Sequence, residues 1–170
     1  MAAEAIPTLH YFDLGTLGRG EVIRLFLRDA GIEFKDIRHQ YGTWSAESDK
    51  FKQQGITRTG KLPALIINGT ILNQAQWVAN IGNPSDDYKN KFLPVYYAVV
   101  AKYYSESNGP YLLGDKITYA DFAVYQSIDN DERIGALPAE LPAEIVKLRE
   151  AIEGRPNIAA YIKENRPNKS

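Results

Sequence analysis

GKLPALIINGTILNQAQWV, residues 60–78, reads as a strand, a tight turn, a second strand and the opening of a helix. The apolar run 64–67 is followed by Asn68-Gly69 and a second short run, 70–72. Asn-Gly accepts the positive φ angles of a two-residue turn, so the spacing predicts an antiparallel hairpin. Pro63 stands directly ahead of the first strand and holds Leu62 in extended geometry. If the Leu62-Pro63 bond is cis, the backbone N–H and C=O of Leu62 turn outward and form a rim that can pair with a peptide-like ligand. Gln74 then opens a helix expected to end before Gly82-Asn83-Pro84. The unsatisfied N–H groups of its first turn attract a carboxylate, and the Gln74 amide can add a bond. The plain reading of Gln74 is a polar helix-start residue with no ligand.

Upstream, residues 9–12 form an expected strand and DLGTLGRG, 13–20, a loop with three glycines. From Glu21 a broad apolar face predicts a helix that Gly31 is placed to end, with Arg24 and Arg28 on its polar side. Residues 32–37 read as a second strand, and 45–55 carry a weaker helical pattern. The order β-α-β-α-β-β-α gives one parallel and one antiparallel pairing, hence a mixed four-stranded sheet flanked by helices.

Downstream, Asn83-Pro84-Ser85 marks a boundary, with residues 1–82 as the first domain and 83–170 as the second. The second is read as all helical. A helix is expected over 88–106, kinked or started late by Pro94. Another opens at Thr118, with Asp121 three residues on in the capping-box position and structural in role. Residues 141–152 and 158–162 give two more. Tyr96, Tyr97, Tyr103, Tyr104 and Tyr111 read either as core and interface or as an aromatic ligand wall.

The 20 basic and 21 acidic side chains leave a formal charge of −1, with no long-range pull toward nucleic acid or an anionic membrane. Cysteine is absent, so disulfides, cysteine redox chemistry and thiolate metal sites are excluded, and any sulfur chemistry must arrive with a ligand. His10 and His39 have no partner at metal-like spacing, and no metal is expected. MAAEAIPT lacks the basic and apolar segments of a secretion signal, and no run approaches the ~20 apolar residues of a membrane span. The cytosol is the expected compartment.

Tyr11 lies just before the glycine loop and the first helix, where a phenol can hydrogen-bond an anion held at the helix N-terminus; it can equally be packing between strand and helix. Arg19, at the same mouth, can neutralise a carboxylate or simply face water. Trp44, Lys50 and Lys52 precede the Pro63 rim, and a lysine there can hold a terminal carboxylate. GTLGRG fits neither the dinucleotide fingerprint nor a P-loop, so nucleotide binding is set aside.

Three segments in this order resemble the glutathione transferase family: LHYFDLGTLGRGEVIRLFLRDAGIEF, GKLPALIINGTILNQ and YLLGDKITYADFAV. The resemblance spans nearly the whole chain. It implies an α/β thioredoxin-like N-terminal domain with a mixed four-stranded sheet, followed by an all-helical C-terminal domain. Tyr11 matches the tyrosine that hydrogen-bonds the glutathione sulfur in the tyrosine-type classes. Trp44 and Lys50 match a pair near the glycyl carboxylate, and Leu62, beside Pro63, the backbone that binds the cysteinyl part. Gln74 matches the contact to the γ-glutamyl end, and Arg19 resembles a basic residue at the site entrance.

Departures are visible too. The loop after Tyr11 is longer than the family pattern. Ala75 replaces a Ser or Thr, removing a hydroxyl donor worth about 1.5–3 kcal/mol toward a charged ligand. Between 81 and 111 there is room for one substantial helix where the family has two, so one helix is missing and a homodimer would need an altered interface. The resemblance implies glutathione as substrate or cofactor and a small electrophile as partner, with no metal, nucleic acid or membrane. Conjugation, isomerisation and elimination all fit, including in a specialised pathway. A catalytically silent ligand-binding or assembly protein is the alternative.

Overall fold

The computed structural model describes residues 6–57, 60–67, 69–73 and 84–166. Contacts divide the chain into two compact units between residues 78 and 79.

In the first unit, β1 (Thr8–Phe12), α1 (Arg19–Asp29), β2 (Lys35–His39), α2 (Trp44–Gln53), β3 (Ala64–Ile67) and β4 (Thr70–Asn73) follow one another. They build the expected mixed sheet in the order β2-β1-β3-β4. β1 runs parallel to β2, with Tyr11 opposite Arg38, and antiparallel to β3, with His10 opposite Ala64. The hairpin forms with Leu65 opposite Leu72, Gly69 has a φ of 76°, and the Leu62-Pro63 bond is cis. Asn68 and the helix expected from Gln74 lie outside the described residues.

The second strand starts later than the apolar run 32–37 suggested. Gly31, at a φ of 67°, donates its N–H to Arg28, and Ile32 donates to Leu27, a paired closure that ends α1 and uses Ile32 before the strand begins. Lys35 then donates to the Pro7 carbonyl and β2 starts there. Arg24 also departs from expectation. It is fully buried rather than on a solvated face, because Asp36 and Glu21 neutralise it at 3.0 and 3.4 Å.

The second unit is helical. A π-helical turn (Tyr88–Phe92) leads into α3 (Leu93–Ser105), followed by α4 (Tyr119–Arg133), α5 (Ala143–Glu153) and α6 (Pro156–Asn165). Pro94 explains the turn. It cannot donate to the carbonyl four residues back, and the helix widens so that Leu93 donates to Tyr88, five residues back. Among the described residues from 84 to 111, the π-helical turn and α3 make one continuous helix, as the spacing predicted. Leu93, Tyr97, Ala101, Ile128, Ala136 and Ile145 form its core. Tyr97, Tyr104 and Tyr111 are buried and Tyr103 is exposed, so the tyrosine cluster is mainly core.

Buried carboxylates organise this unit. Asp131 accepts from Tyr88 and Tyr97 at 2.9 and 2.7 Å. Asp129 is paired with Arg133 and Arg166 at 3.0 and 3.1 Å. Asp121 is the structural residue that its capping-box position predicted. Among the described residues no helix is long and apolar enough to cross a membrane.

Candidate functional site

Tyr11, Trp44, Leu62 and Ala64 pack into one buried cluster, with Phe12, Leu14, Phe51 and Ile71 against it. The fold thus brings together three residues that are far apart in sequence. β1 delivers Tyr11, α2 delivers Trp44, and the segment before β3 delivers Leu62 with Pro63, which is also buried.

The Tyr11 ring lies against the start of α1 because Gly18 and Gly20 have no side chains. A Cβ at Gly20 would overlap the ring, and one at Gly18 would sit 2.5 Å from the hydroxyl. Through that gap the Arg19 backbone N–H, in the first turn of α1, donates to the Tyr11 hydroxyl at 3.1 Å. The oxygen is used as an acceptor, which leaves the phenolic proton to donate elsewhere. A hydroxyl that accepts a hydrogen bond becomes a better donor, and the Arg24 guanidinium, its charge met by Asp36 and Glu21, packs 5.8 Å from the ring centroid. Tyr11 keeps 7% of its surface exposed.

Trp44 is fixed by both its polar edge and its ring. Its indole N–H donates to the Gly60 carbonyl at 3.0 Å, and its ring stacks on Phe51 at 5.0 Å and meets Phe12 edge-on at 5.5 Å. The indole therefore walls the cluster and ties α2 to the chain ahead of the hairpin. Lys50 is exposed near the end of α2. Arg19 is half-buried at the start of α1. Gln74 and Ala75 lie outside the described residues.

Several participants were not legible in the sequence. The glycines of 13–20 read only as a loop, and nothing marked Gly18 and Gly20 as the space for a ring. Arg24 read as part of the polar side of a helix and nothing singled out Asp36 or Arg38, yet the three meet beneath the loop that follows Tyr11. His10 and His39 also meet, ring nitrogen to ring nitrogen at 3.0 Å, with rings stacked at 5.3 Å. Parallel pairing of β1 with β2 creates that contact, which the separation in sequence conceals.

Burial, with His39 adding to it, holds His10 below the ordinary 6.5, and burial also lowers His39 against an opposing pull from Glu47. The unfolded chain then takes up protons that the folded pair refuses. Stability is expected to fall as pH drops below about 6.5, by at most ~1.4 kcal/mol per pH unit for each proton. Burial raises the Asp131 carboxyl, which acts in the opposite sense, so the diagnostic is a difference. The loss in urea midpoint between pH 7.5 and 5.5 should be smaller in His10→Gln/His39→Gln than in the unaltered chain; equal losses would contradict it. Among the described residues no group of three or more His, Asp or Glu could hold a metal ion.

Residues 7–80 match the family description "Glutathione S-transferase, N-terminal domain", and residues 75–165 match "Glutathione S-transferase, C-terminal domain". The chain is similar to glutathione S-transferase P 10 of Caenorhabditis elegans, 26% identical over 204 aligned positions that take in 97% of this chain and 94% of that protein. Those positions outnumber the 170 residues of the chain, so within the match the relative carries residues that this chain lacks. Among solved structures, the Onchocerca volvulus pi-class glutathione S-transferase superposes with a TM-score of 0.75 at 21% identity, covering 97% of this chain and 96% of that one. A nematode-specific C. elegans transferase does so with a TM-score of 0.74 at 23% identity, covering 97% and 98%.

Proposed function

The chain belongs to the glutathione S-transferase family, its helical-domain match alone taking in residues 75–165, and from that premise we propose that it binds glutathione in its first unit and activates the thiol for attack on a small electrophile. The observation that carries the reading is the Tyr11 hydroxyl, which accepts the Arg19 N–H and so has its own proton to give. A sulfur seated there receives that proton as a hydrogen bond, which favours RS⁻ over RSH. A hydrogen bond to a charged group contributes about 1.5–3 kcal/mol, equivalent to lowering the thiol pKa by roughly one to two units. The thiolate then forms a C–S bond to the electrophilic carbon, and the displaced electron pair leaves with a leaving group or takes up a proton. In an isomerisation or elimination the C–S bond breaks again and glutathione is returned.

The backbone of Leu62 pairs with the cysteinyl part of the tripeptide. Lys50 meets the glycyl carboxylate beside the Trp44 wall, Arg19 the entrance, and Gln74 the γ-glutamyl end, where Ala75 weakens the hold. The cytosol supplies the reduced tripeptide. Calorimetric titration with glutathione tests the binding step. A submillimolar Kd is expected, and no saturable heat with millimolar glutathione would remove the reading. With a reactive aryl halide, a product heavier by the tripeptide identifies conjugation, and a product of unchanged mass identifies transient use of glutathione.

A second reading is a ligand-binding protein without turnover. It is favoured by the indole N–H of Trp44 being given to Gly60 and by Ala75. Glutathione binding with a thiol pKa equal to that of free glutathione would establish it.

A further inference from the structure

The loop between Tyr11 and α1 is anchored from below by two arginines on different elements. Arg38, on β2, donates from Nη1 to the Gly15 carbonyl at 3.0 Å and reaches the Asp13 carboxylate at 3.4 Å. Arg24, on α1, points Nη1 at the same carbonyl at 3.5 Å. A single carboxylate holds both guanidinium groups. Asp36 Oδ2 accepts from Nε of Arg24 and from Nε of Arg38, each at 3.0 Å, and its Oδ1 accepts from Nη2 of Arg24 at 3.1 Å.

The two arginines differ in burial. Arg24 is fully buried and also paired with Glu21, so it belongs to the core of the unit. The Arg38 side chain is one-third exposed. It nonetheless bonds to a backbone carbonyl in the middle of a glycine-containing loop, and a rigid planar fork fixes the directions of its bonds to Gly15, Asp13 and Asp36 where the flexible ammonium of a lysine would not. The ends of the loop are fixed separately. Asp13 donates its N–H to the His39 carbonyl at 2.9 Å, and Glu21 donates to Gly18 at 3.2 Å. Between them Gly15 and Gly18 both take positive φ angles, so the intervening chain depends on its contacts for a defined path. That path ends at the Arg19 N–H, the group on the Tyr11 oxygen.

We propose that Arg38 is a positioning residue: by clamping Gly15 and Asp13 it sets the path of the loop so that the Arg19 N–H stays on the Tyr11 hydroxyl and the phenolic proton stays aimed at the ligand sulfur. The catalytic half of this inference rests on the glutathione reading above, and the structural half does not. Removing the clamp lets the loop sample other paths, the N–H leaves the oxygen for part of the time, and the hydroxyl becomes a poorer donor. Glutathione is still held by its backbone and its carboxylates. The effect therefore falls on the pH dependence of turnover more than on KM.

The test compares the unaltered chain with Arg38→Gln and Arg38→Lys by two readouts. Amide hydrogen exchange at Arg19, followed by NMR without glutathione, reports the loop alone. Exchange is expected to quicken about ten-fold or more in Arg38→Gln and less in Arg38→Lys. The pH profile of kcat/KM with glutathione and an aryl halide reports the consequence. Its acid limb should move up by about half a unit or more in Arg38→Gln, with partial return in Arg38→Lys and KM for glutathione within about two-fold. Unchanged Arg19 exchange overturns the clamp whether or not the protein turns over substrate. Faster exchange with an unmoved pH profile overturns the positioning role. If the unaltered chain fails to bind glutathione, the functional reading falls, and the exchange experiment still decides whether Arg38 holds the loop.

Discussion

Tyr11→Phe is expected to lower kcat/KM for glutathione conjugation by about 10- to 100-fold while changing the glutathione Kd by less than about three-fold. The substitution removes one oxygen and leaves a ring that fills the same space against Gly18 and Gly20. Packing is therefore preserved, and the loss reads directly on the hydrogen bond to sulfur. Two groups feel the change. The thiolate loses its donor, and the Arg19 N–H loses its acceptor. The second loss lies at a helix N-terminus, where a bound anion or water can take it up, so the cost to folding should stay near 1 kcal/mol. Steady-state rates corrected for the spontaneous reaction of glutathione with the electrophile, together with calorimetric Kd values, separate the two effects. A rate within two-fold of the unaltered chain would remove Tyr11 from the mechanism.

Asp121→Ala should cost the helical unit about 3–5 kcal/mol, because it leaves a set of buried donors without their acceptor. The carboxylate is fully buried. Oδ1 accepts from the Tyr104 hydroxyl at 2.9 Å and the Leu112 N–H at 2.8 Å, and Oδ2 accepts from the Thr118 N–H at 2.6 Å and its hydroxyl at 2.8 Å. One side chain thus starts α4 and ties it both to α3 and to the segment ahead of Thr118. The Tyr104 phenol is held well above its ordinary range, by burial first and then by its bond to Asp121, so it stays a donor at any working pH. With a urea slope of about 1–3 kcal/mol per molar, the midpoint should fall by more than 1 M. Asp121→Asn should fall between the two, since it keeps an acceptor but loses the charge. A midpoint shift of under 0.3 M in Asp121→Ala would show that the network carries little of the stability.

What the sequence disclosed and what it hid have a common physical cause. Features set by short-range backbone chemistry were legible: the hairpin, the proline before it, the Thr118 cap with Asp121, and one helix where Pro94 forced an adjustment. The family resemblance then pointed to Tyr11, Trp44 and Leu62, which the fold does bring into one cluster. The hidden features depend on strand order and on empty space. His10 meets His39 only because β1 lies parallel beside β2, and Arg24 and Arg38 share Asp36 only because α1 packs its Arg24 onto the β2 residue beside Arg38. The value of Gly20 lies in what it lacks, which shows only once the Tyr11 ring is beside it. The resemblance placed Trp44 near a ligand carboxylate, and nothing in the sequence showed that the Gly60 carbonyl, arriving from another segment, takes its indole N–H.

The proposed activity needs a sulfur resting against the Tyr11 hydroxyl, and the ultraviolet absorbance of the thiolate in the glutathione complex measures that state directly. Titrated from pH 5 to 9, bound glutathione should ionise one to two units below free glutathione, and Tyr11→Phe should return the midpoint toward the free value. A saturated complex whose thiol ionises at the same pH as free glutathione, in both forms of the protein, would contradict it.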